Sequence, residues 1–212
     1  MRVFYDLKKR HLIIAPARNG SSHLVDNVFK YNLTEVTPVH VFKSIITEVE
    51  HKTFLYRDPC IRLLSFYNQF IYEPYLYKTV KVEPIPLFVP KSRGHDLLSD
   101  FLNAKELILK NYKLDMHTRP QMDYFYNIPP VNQEIAYNES VQNIDEYKII
   151  SMDQYTKWIY LTFGDTLKDR PSVIDNFNIT PFKFRYMQKI QELSTMLYKD
   201  DYELLEPNIT YV

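Results

Sequence analysis

Cysteine and glycine are scarce in this chain of 212 residues, which has one cysteine, Cys60, and three glycines. A single cysteine excludes an internal disulfide framework and a metal site built from several thiolates, and it fits a reducing compartment. Apolar runs are also short. None reaches the roughly 18 residues of a membrane span, and the N-terminal segment lacks the apolar core of a signal peptide. We therefore expect a cytoplasmic protein without membrane insertion.

An excess of charge of either sign is missing too, because 26 Lys and Arg residues balance 26 Asp and Glu residues. No global field attracts nucleic acid or an anionic membrane, so we expect no nucleic-acid partner and expect any anion to be held by local groups. The length fits one domain over residues 1–212. Short apolar runs separated by helical patterns predict an α/β fold with a central parallel β-sheet flanked by helices.

The first buried strand of this sheet is predicted at residues 12–15, directly before the turn "PARNGSS" and a helix from about Ser21 to Tyr31. Free N–H groups at such a strand-to-helix turn, next to a cation such as Arg18, are typical of a phosphate or sulfate site. The turn is not a Walker A loop, because it has one glycine, Gly20, and no following lysine. A plain helix cap remains the alternative.

A second turn of this kind follows the strand predicted at residues 52–56. Arg57 comes at the carboxyl end of that strand, Pro59 is suited to open a helix, and Ser65 lies on that helix. Arg57 and Ser65 are expected to face the same crevice as Arg18, outside the carboxyl ends of the strands. Other predicted elements are a leading strand at 2–5, a strand near His40, an irregular stretch at 73–90, a helix at 96–110, a strand at 148–151 with a helix ended by Gly164, and an amphipathic helix from Pro181.

Together these motifs resemble the sulfotransferases that use 3′-phosphoadenosine-5′-phosphosulfate (PAPS), in particular their carbohydrate branch. The first turn is similar to the family pattern P-K-x-G-[ST]-[ST], with Arg18 in place of lysine and one residue inserted after Pro16. "HTRPQ" (His117 to Gln121) resembles the H-x-x-P-Q segment, and "YKDDYELL" resembles the D-[FY]-E-[ML]-[FL] ending. The most specific match is to R-D-P-x-x-R-x-x-S-x-[YF], carried by Arg57, Asp58, Pro59, Arg62, Ser65 and Tyr67.

The resemblance implies a P-loop-like, sulfotransferase-like α/β domain that binds PAPS, releases 3′,5′-ADP and needs no metal. The acceptor would be a hydroxyl, on a carbohydrate in the branch that the chain resembles. Arg57 and Ser65 would hold the 3′-phosphate. The phosphosulfate would be held by the first turn and the start of its helix, at Arg18, Asn19, Gly20, Ser21, Ser22 and His23.

Two histidines are candidates for the base that takes the proton of the acceptor, since neutral imidazole suits this role near pH 7. They are His40 and His117, with Arg18 as the cation on the transferred group, and either histidine could instead be structural. Glu35 and Glu48 are alternative bases. Tyrosines 72, 75 and 77 are either an acceptor wall or packing residues. A nucleotide or small-molecule kinase and a non-catalytic nucleotide-binding module remain rival functions, and the sequence leaves the oligomeric state open.

Overall fold

The computed structural model of the chain describes residues 2–36, 49–67, 105–124, 144–167 and 180–212, with the backbone alone for 180–186. The strands are β1 (Arg2–Asp6), β2 (His11–Ala15), β3 (Thr34–Glu35), β4 (His51–Tyr56) and β5 (Lys148–Ser151). The helices are α1 (Ser21–Asp26), α2 (Pro59–Tyr67), α3 (residues 105–111), α4 (Tyr155–Phe163) and α5 (Thr180–Leu197). A π-helical turn, Asp201–Leu205, follows α5.

The described strands form one sheet in the order β3-β1-β2-β4-β5. Strands β2, β4 and β5 are parallel, with Ile13 beside Thr53 and Thr53 beside Lys148. β1 is antiparallel to both of its neighbours, β2 and β3. A tight turn joins β1 to β2, and in this turn Asp6 Oδ1 accepts the N–H groups of Lys8 and Lys9. The predicted α/β class is confirmed, but the sheet is mixed and only its β2-β4-β5 part is parallel.

Side chains of β2 alternate between two apolar clusters, one on each face of the sheet. Leu12 and Ile14 pack with Leu205 on one face, whereas Ile13 packs with Leu24 of α1 and Trp158 of α4 on the other. All five residues of β2 are buried, which confirms the prediction of a strand covered on both sides. A third cluster joins α2 to α5.

Helix α1 begins at Ser21 as predicted, but it ends at Asp26 rather than at Tyr31. The cause lies at Asn27, whose backbone N–H donates to Leu24 O and whose side-chain amide donates to His23 O at 2.8 Å. Asparagine side chains compete in this way with the helical ladder. The chain continues in turns to residue 32. A six-residue helix has a short dipole, so the charge of an anion site here has to come mainly from side chains.

The later elements agree better with the sequence patterns. β4, the helix opened by Pro59, β5, and α4 ended by Gly164 in the left-handed conformation all lie where they are predicted. α5 buries Ile190 and Leu193 of its predicted inner face. Residues 105–110 of the helix predicted at 96–110 are helical, and the stretch at 73–90 lies outside the described residues, as does most of the strand predicted near His40. Within the described ranges no helix is long and apolar enough to cross a membrane.

Candidate functional site

The candidate site lies at the carboxyl edge of the parallel strands, where the two predicted turns meet. β2 leads into the turn of residues 16–20, and β4 leads into Arg57 and Asp58. Because the two strands are neighbours and run in the same direction, their carboxyl ends lie side by side. Asp58 Oδ1 accepts the backbone N–H of Ile61 at 2.8 Å, so it caps α2 and leaves Arg57 at the rim of the sheet.

The turn after β2 has an irregular backbone, and several of its N–H groups lack an acceptor among the described residues. Arg18 and Gly20 both have positive φ, of 73° and 74°, and Asn19 N donates to Pro16 O at 3.1 Å. The backbone N–H groups of Gly20, Ser21 and Ser22 have no acceptor in the part of the chain that the structure describes. Successive free N–H groups beside left-handed residues are typical of backbone segments that bind anions.

Gly20 is required in this turn for a second reason besides its positive φ. The ring of Tyr155, at the start of α4, covers it so closely that a Cβ atom at residue 20 would lie 3.0 Å from Tyr155 Cζ. Of the serines that follow, Ser21 is buried and Ser22 is exposed, so Ser22 is the hydroxyl open to solvent.

Arg18 connects the two turns by its bonds to Ser65, the residue that the resemblance assigns to the 3′-phosphate of the donor. Its Nε donates to Ser65 Oγ at 3.2 Å, and its Nη2 donates to Ser65 O at 3.1 Å. Arg57 Nη1 in turn donates to Arg18 O at 2.8 Å. The structure therefore brings Arg18, Arg57 and Ser65 together in one hydrogen-bonded group.

Positive charge accumulates in this group, because Arg18, Arg57 and the neighbouring Arg62 lie close enough to affect one another's charge. Burial, together with the neighbouring charges of Arg18 and Arg62, lowers the pKa of Arg57 to about 10, against a smaller opposite effect of Asp58. Among the described residues, no carboxylate forms an ion pair with Arg57 or Arg62. Arg57 remains a cation at neutral pH, and of its guanidinium nitrogens only Nη1 has a partner in the described ranges.

Arg62, the second arginine of the same signature, has a different environment. It is 1% exposed, and it donates to three backbone carbonyls: Ala17 O at 3.1 Å, Arg119 O at 2.6 Å and Met116 O at 3.0 Å. Its donors are thus used to fasten the first turn to the segment around residues 116–119. We interpret Arg62 as a structural arginine that also contributes to the local positive potential.

A buried amide joins the remaining motifs to this group. The side chain of Gln121 pairs with both backbone polar groups of Arg57, and it accepts a hydrogen bond from Asn19 Nδ2. Asp201, at the start of the π-helical turn, accepts the backbone N–H groups of Gln121 and Met122 at 2.8 and 2.7 Å. Burial raises the pKa of Asp201, and these hydrogen bonds oppose that rise.

Asn19 and Gln121 bond to distant segments of the chain, and such contacts cannot be predicted from the sequence of a single turn. Asn19, predicted as a donor-binding residue, is completely buried, and its Nδ2 also donates to Leu55 O at 2.7 Å, so its side chain braces the turn. Gln121 was part of the H-x-x-P-Q resemblance, but no role was predicted for it. The only signal for it was that this segment and the D-Y-E-L-L ending both resemble one family.

Two of the three candidate histidines, His23 and His117, lie among the described residues. His23 is buried between two tyrosines, with Nδ1 2.8 Å from Tyr155 Oη and Nε2 3.4 Å from Tyr31 Oη, and Tyr31 Oη donates to Asp165 at 2.7 Å. His23 thus contacts Tyr155, the residue that covers Gly20. His40 lies outside the described residues.

His117 is partly exposed in the turn before Gln121. Its ring Nδ1 lies 3.0 Å from Asp115 Oδ1, which also accepts the backbone N–H of His117 at 2.7 Å. Burial alone would raise the pKa of Asp115, but the hydrogen bonds from His117 outweigh burial and lower it. A carboxylate that orients an imidazole in this way is compatible with a base and with a purely structural pair.

The other predicted groups have plainer surroundings or lie outside the description. Glu35 forms an ion pair with Arg2 across β1 and β3, at 3.2 Å. Glu48 and tyrosines 72, 75 and 77 lie outside the described residues. In the ranges that the structure covers, no group of three His, Cys, Asp or Glu residues is arranged to hold a metal ion.

A groove of about 610 Å³ lies on the other side of Asp58, between α2, α5 and the π-helical turn. Its lining includes three carboxylates, Asp58, Glu203 and Glu206, and one lysine, Lys199, which pairs with Glu203 at 3.5 Å. This lining repels anions, so the groove is not an extension of the arginine group.

The fold and this site define a class of protein: an α/β chain whose carboxyl sheet edge carries one buried and two partly buried arginines, beside a turn whose N–H groups lack acceptors among the described residues. Comparison of the chain with family models, with curated proteins and with solved structures found no match.

Proposed function

We propose that this protein is a sulfotransferase that moves the sulfuryl group of PAPS to an acceptor hydroxyl, on a carbohydrate by analogy with the branch that it resembles. The observation that carries the proposal is the contact between two turns that lie 39 residues apart in the chain, seen in the hydrogen bond from Arg57 to Arg18 O. Two turns of cationic and N–H donors at one sheet edge are what a nucleotide with two separate anionic groups needs.

The two ends of the donor would be held by different chemistry. Arg57 offers guanidinium donors that no described residue uses, and a planar fork of this kind can bind two oxygens of a phosphate at once. Gly20, Ser21 and Ser22 offer backbone N–H groups, which suit the phosphosulfate because they are fixed before it binds. We assign the 3′-phosphate to the first set and the phosphosulfate to the second.

Arg18 requires a rearrangement under this proposal. It is bound to Ser65, so it lies at the end of the site assigned to the 3′-phosphate. To stabilise charge on the transferred group, its side chain has to leave Ser65 and turn toward Gly20. Loose sulfuryl transfer, like phosphoryl transfer, depends mainly on such cations and on positioning.

The proposed base is His40, with His117 as the second candidate, as the resemblance implies. A base only has to remove the proton from the acceptor, so its loss slows turnover without weakening the donor complex. His40→Ala is expected to bind 3′,5′-ADP like the wild type and to transfer sulfate at least tenfold more slowly. His117→Ala is the matched comparison, and full activity of His40→Ala rejects His40 as the base.

Calorimetry and a transfer assay test the proposal directly. We expect the protein to bind 3′,5′-ADP and to bind ATP with magnesium much more weakly, because only the first carries a 3′-phosphate. Transfer of labelled sulfate from PAPS to a panel of carbohydrate hydroxyls then tests catalysis. A preference for ATP with magnesium would favour the kinase alternative and reject the sulfotransferase.

A non-catalytic nucleotide-binding module is the second candidate, and the contact between Arg18 and Ser65 favours it. An arginine held by Ser65 Oγ and O serves the 3′-phosphate end and leaves the transferred group without its cation. Binding of 3′,5′-ADP without any sulfate transfer to the panel would support this function over the enzyme.

A further inference from the structure

The side chain of Gln121 touches both turns of the site, through Asn19 and Arg57, and also the C-terminal π-helical turn, through Asp201. It is completely buried. Its Oε1 accepts Arg57 N–H at 3.0 Å, and its Nε2 donates to Arg57 O at 2.8 Å and to Asp201 Oδ2 at 3.3 Å. Oε1 also accepts Asn19 Nδ2. The four hydrogen bonds that a primary amide can make with its two hydrogens and two lone pairs are therefore all formed.

The orientation of this amide is determined by its partners. Rotation by 180° would place Oε1 against the carbonyl oxygen of Arg57 and against Asp201, and it would place Nε2 against two N–H groups. Asn19 contributes to the same arrangement at a cost, because its own Oδ1 is left buried without a partner among the described residues. Buried polar groups are expensive unless they are paired, so the network stabilises one geometry of residues 19, 57 and 121.

We infer that Gln121 is a positioning residue for the anion site: its amide holds both backbone polar groups of Arg57, and Asp201 holds Gln121. Arg57 is thereby fastened at its backbone by Gln121 and at its guanidinium by Arg18 O, which aims the remaining guanidinium donors at one place. This inference rests on the proposed function for the identity of the ligand, but the fastening itself does not depend on it.

Two substitutions separate the acceptor and donor halves of the amide. Gln121→Met removes both, so Arg57 N–H loses its acceptor. Gln121→Glu keeps an acceptor for Arg57 N–H but places a carboxylate against Arg57 O and Asp201. When this carboxyl is protonated it becomes a donor again, as the amide is. The matched controls are Gln188→Met and Gln188→Glu on α5, where the glutamine bonds only to Glu192 among the described residues, at 3.2 Å.

The first measurement is hydrogen exchange of the Arg57 amide by NMR in the ligand-free protein. We expect exchange about tenfold faster in Gln121→Met, the effect of one lost hydrogen bond, and exchange close to the wild-type rate in Gln121→Glu and in both controls. A folded Gln121→Met variant with the wild-type exchange rate at Arg57 overturns the inference. If Gln121→Met does not fold, the second measurement on Gln121→Glu decides.

The second measurement is the affinity for 3′,5′-ADP between pH 5.5 and 8, each variant being compared with the wild type at the same pH. Gln121→Glu is expected to bind about tenfold more weakly at pH 8 and to approach the wild type as the pH falls. A residue that merely filled space would show no such recovery. Wild-type affinity of Gln121→Glu at all pH values overturns the inference. Absence of binding by the wild type rejects the proposed function alone, and the exchange rate at Arg57 then decides the inference.

Discussion

Each edge of the parallel strands holds a basic side chain removed from solvent, but burial neutralises the one at the amino edge and not the one at the carboxyl edge. At the amino edge, His11 is buried with Nε2 2.8 Å from Thr53 Oγ1, and its ring lies near those of His51 and Trp158. Burial, with a contribution from His51, lowers the pKa of His11 to about 4. His11 is therefore a neutral hydrogen-bonding group.

At the carboxyl edge, burial acts in the same direction with a different result. Together with the charges of Arg18 and Arg62, it lowers the pKa of Arg57 to about 10, which still leaves a full positive charge at pH 7. The comparison shows that burial alone does not make an anion site. What matters is a group whose pKa starts high enough to tolerate burial, which is the reason arginine is preferred in such places.

The largest expected effect concerns the arginine that serves structure rather than binding. Arg62→Met should lower the free energy of unfolding by about 4 kcal/mol, because three backbone carbonyls lose the donor that Arg62 supplies and Asp201 loses a nearby cation. Denaturant unfolding measures the change. Arg2→Met, which breaks the exposed pair with Glu35, is the control and should cost less than about 1 kcal/mol. A loss this small for Arg62→Met would show that the buried arginine is dispensable.

At the amino edge we expect a stability change with pH. The unfolded chain protonates His11 below about pH 6.5, whereas the folded chain resists until about pH 4, so stability is complete above the first value and falls between them. The shift of 6.5 to about 4 corresponds to about 3 kcal/mol. The difference in unfolding free energy between the wild type and His11→Gln, measured from pH 7 to 4, isolates this contribution, because the other titrating groups are the same in both proteins. Parallel curves for the two proteins would contradict it.

Arg57→Ala tests the carboxyl edge in the same terms. It should weaken binding of 3′,5′-ADP about a hundredfold, or about 2.7 kcal/mol, because the bound phosphate loses a partly desolvated cation. The stability should change much less than in Arg62→Met, since Arg57 keeps its backbone bonds to Gln121. Calorimetry and denaturant unfolding measure the two effects. Equal affinity of Arg57→Ala and the wild type for 3′,5′-ADP would show that Arg57 does not bind this ligand.

The smallest effect separates charge from backbone strain at Arg18, whose φ is 73°. Arg18→Gly and Arg18→Ala both remove the guanidinium and should weaken binding of 3′,5′-ADP about tenfold, or about 1.4 kcal/mol. Glycine tolerates this φ and alanine does not, so Arg18→Gly should be more stable than Arg18→Ala by about 1 kcal/mol. Thermal unfolding compares the pair, and identical stabilities would show that the turn relaxes to another backbone.

Prediction from the sequence succeeded where the signal is local. The apolar runs of β2 and β4, Pro59 at the start of α2 and Gly164 at the end of α4 are short-range signals, and the structure has each of them in place. It failed at the end of α1, because the competing hydrogen bond of Asn27 to His23 O is not expressed in the spacing of apolar residues. The antiparallel β1 likewise follows from the turn at Asp6 and was not predicted as such.

Prediction of the site was limited in a similar way. Arg18, Arg57 and Ser65 were named from two separate turns, and the structure brings them into contact, but their assignment to the two ends of a donor stays a prediction. The contact of Arg18 with Ser65 rather than with the first turn could not be foreseen. It depends on how a long, flexible side chain reaches across 47 residues of sequence separation.

The sequence by itself determined the α/β class, the positions of the main strands along the chain and the presence of basic residues after two of them, since these depend on neighbouring residues. The tertiary structure alone decided which arginine is exposed to a ligand and which is buried, and it decided that Gln121 and Asp201 fasten Arg57. Hydrogen bonds between residues 57, 121 and 201 form only when the sheet and the helices bring distant segments together. No local pattern records such bonds.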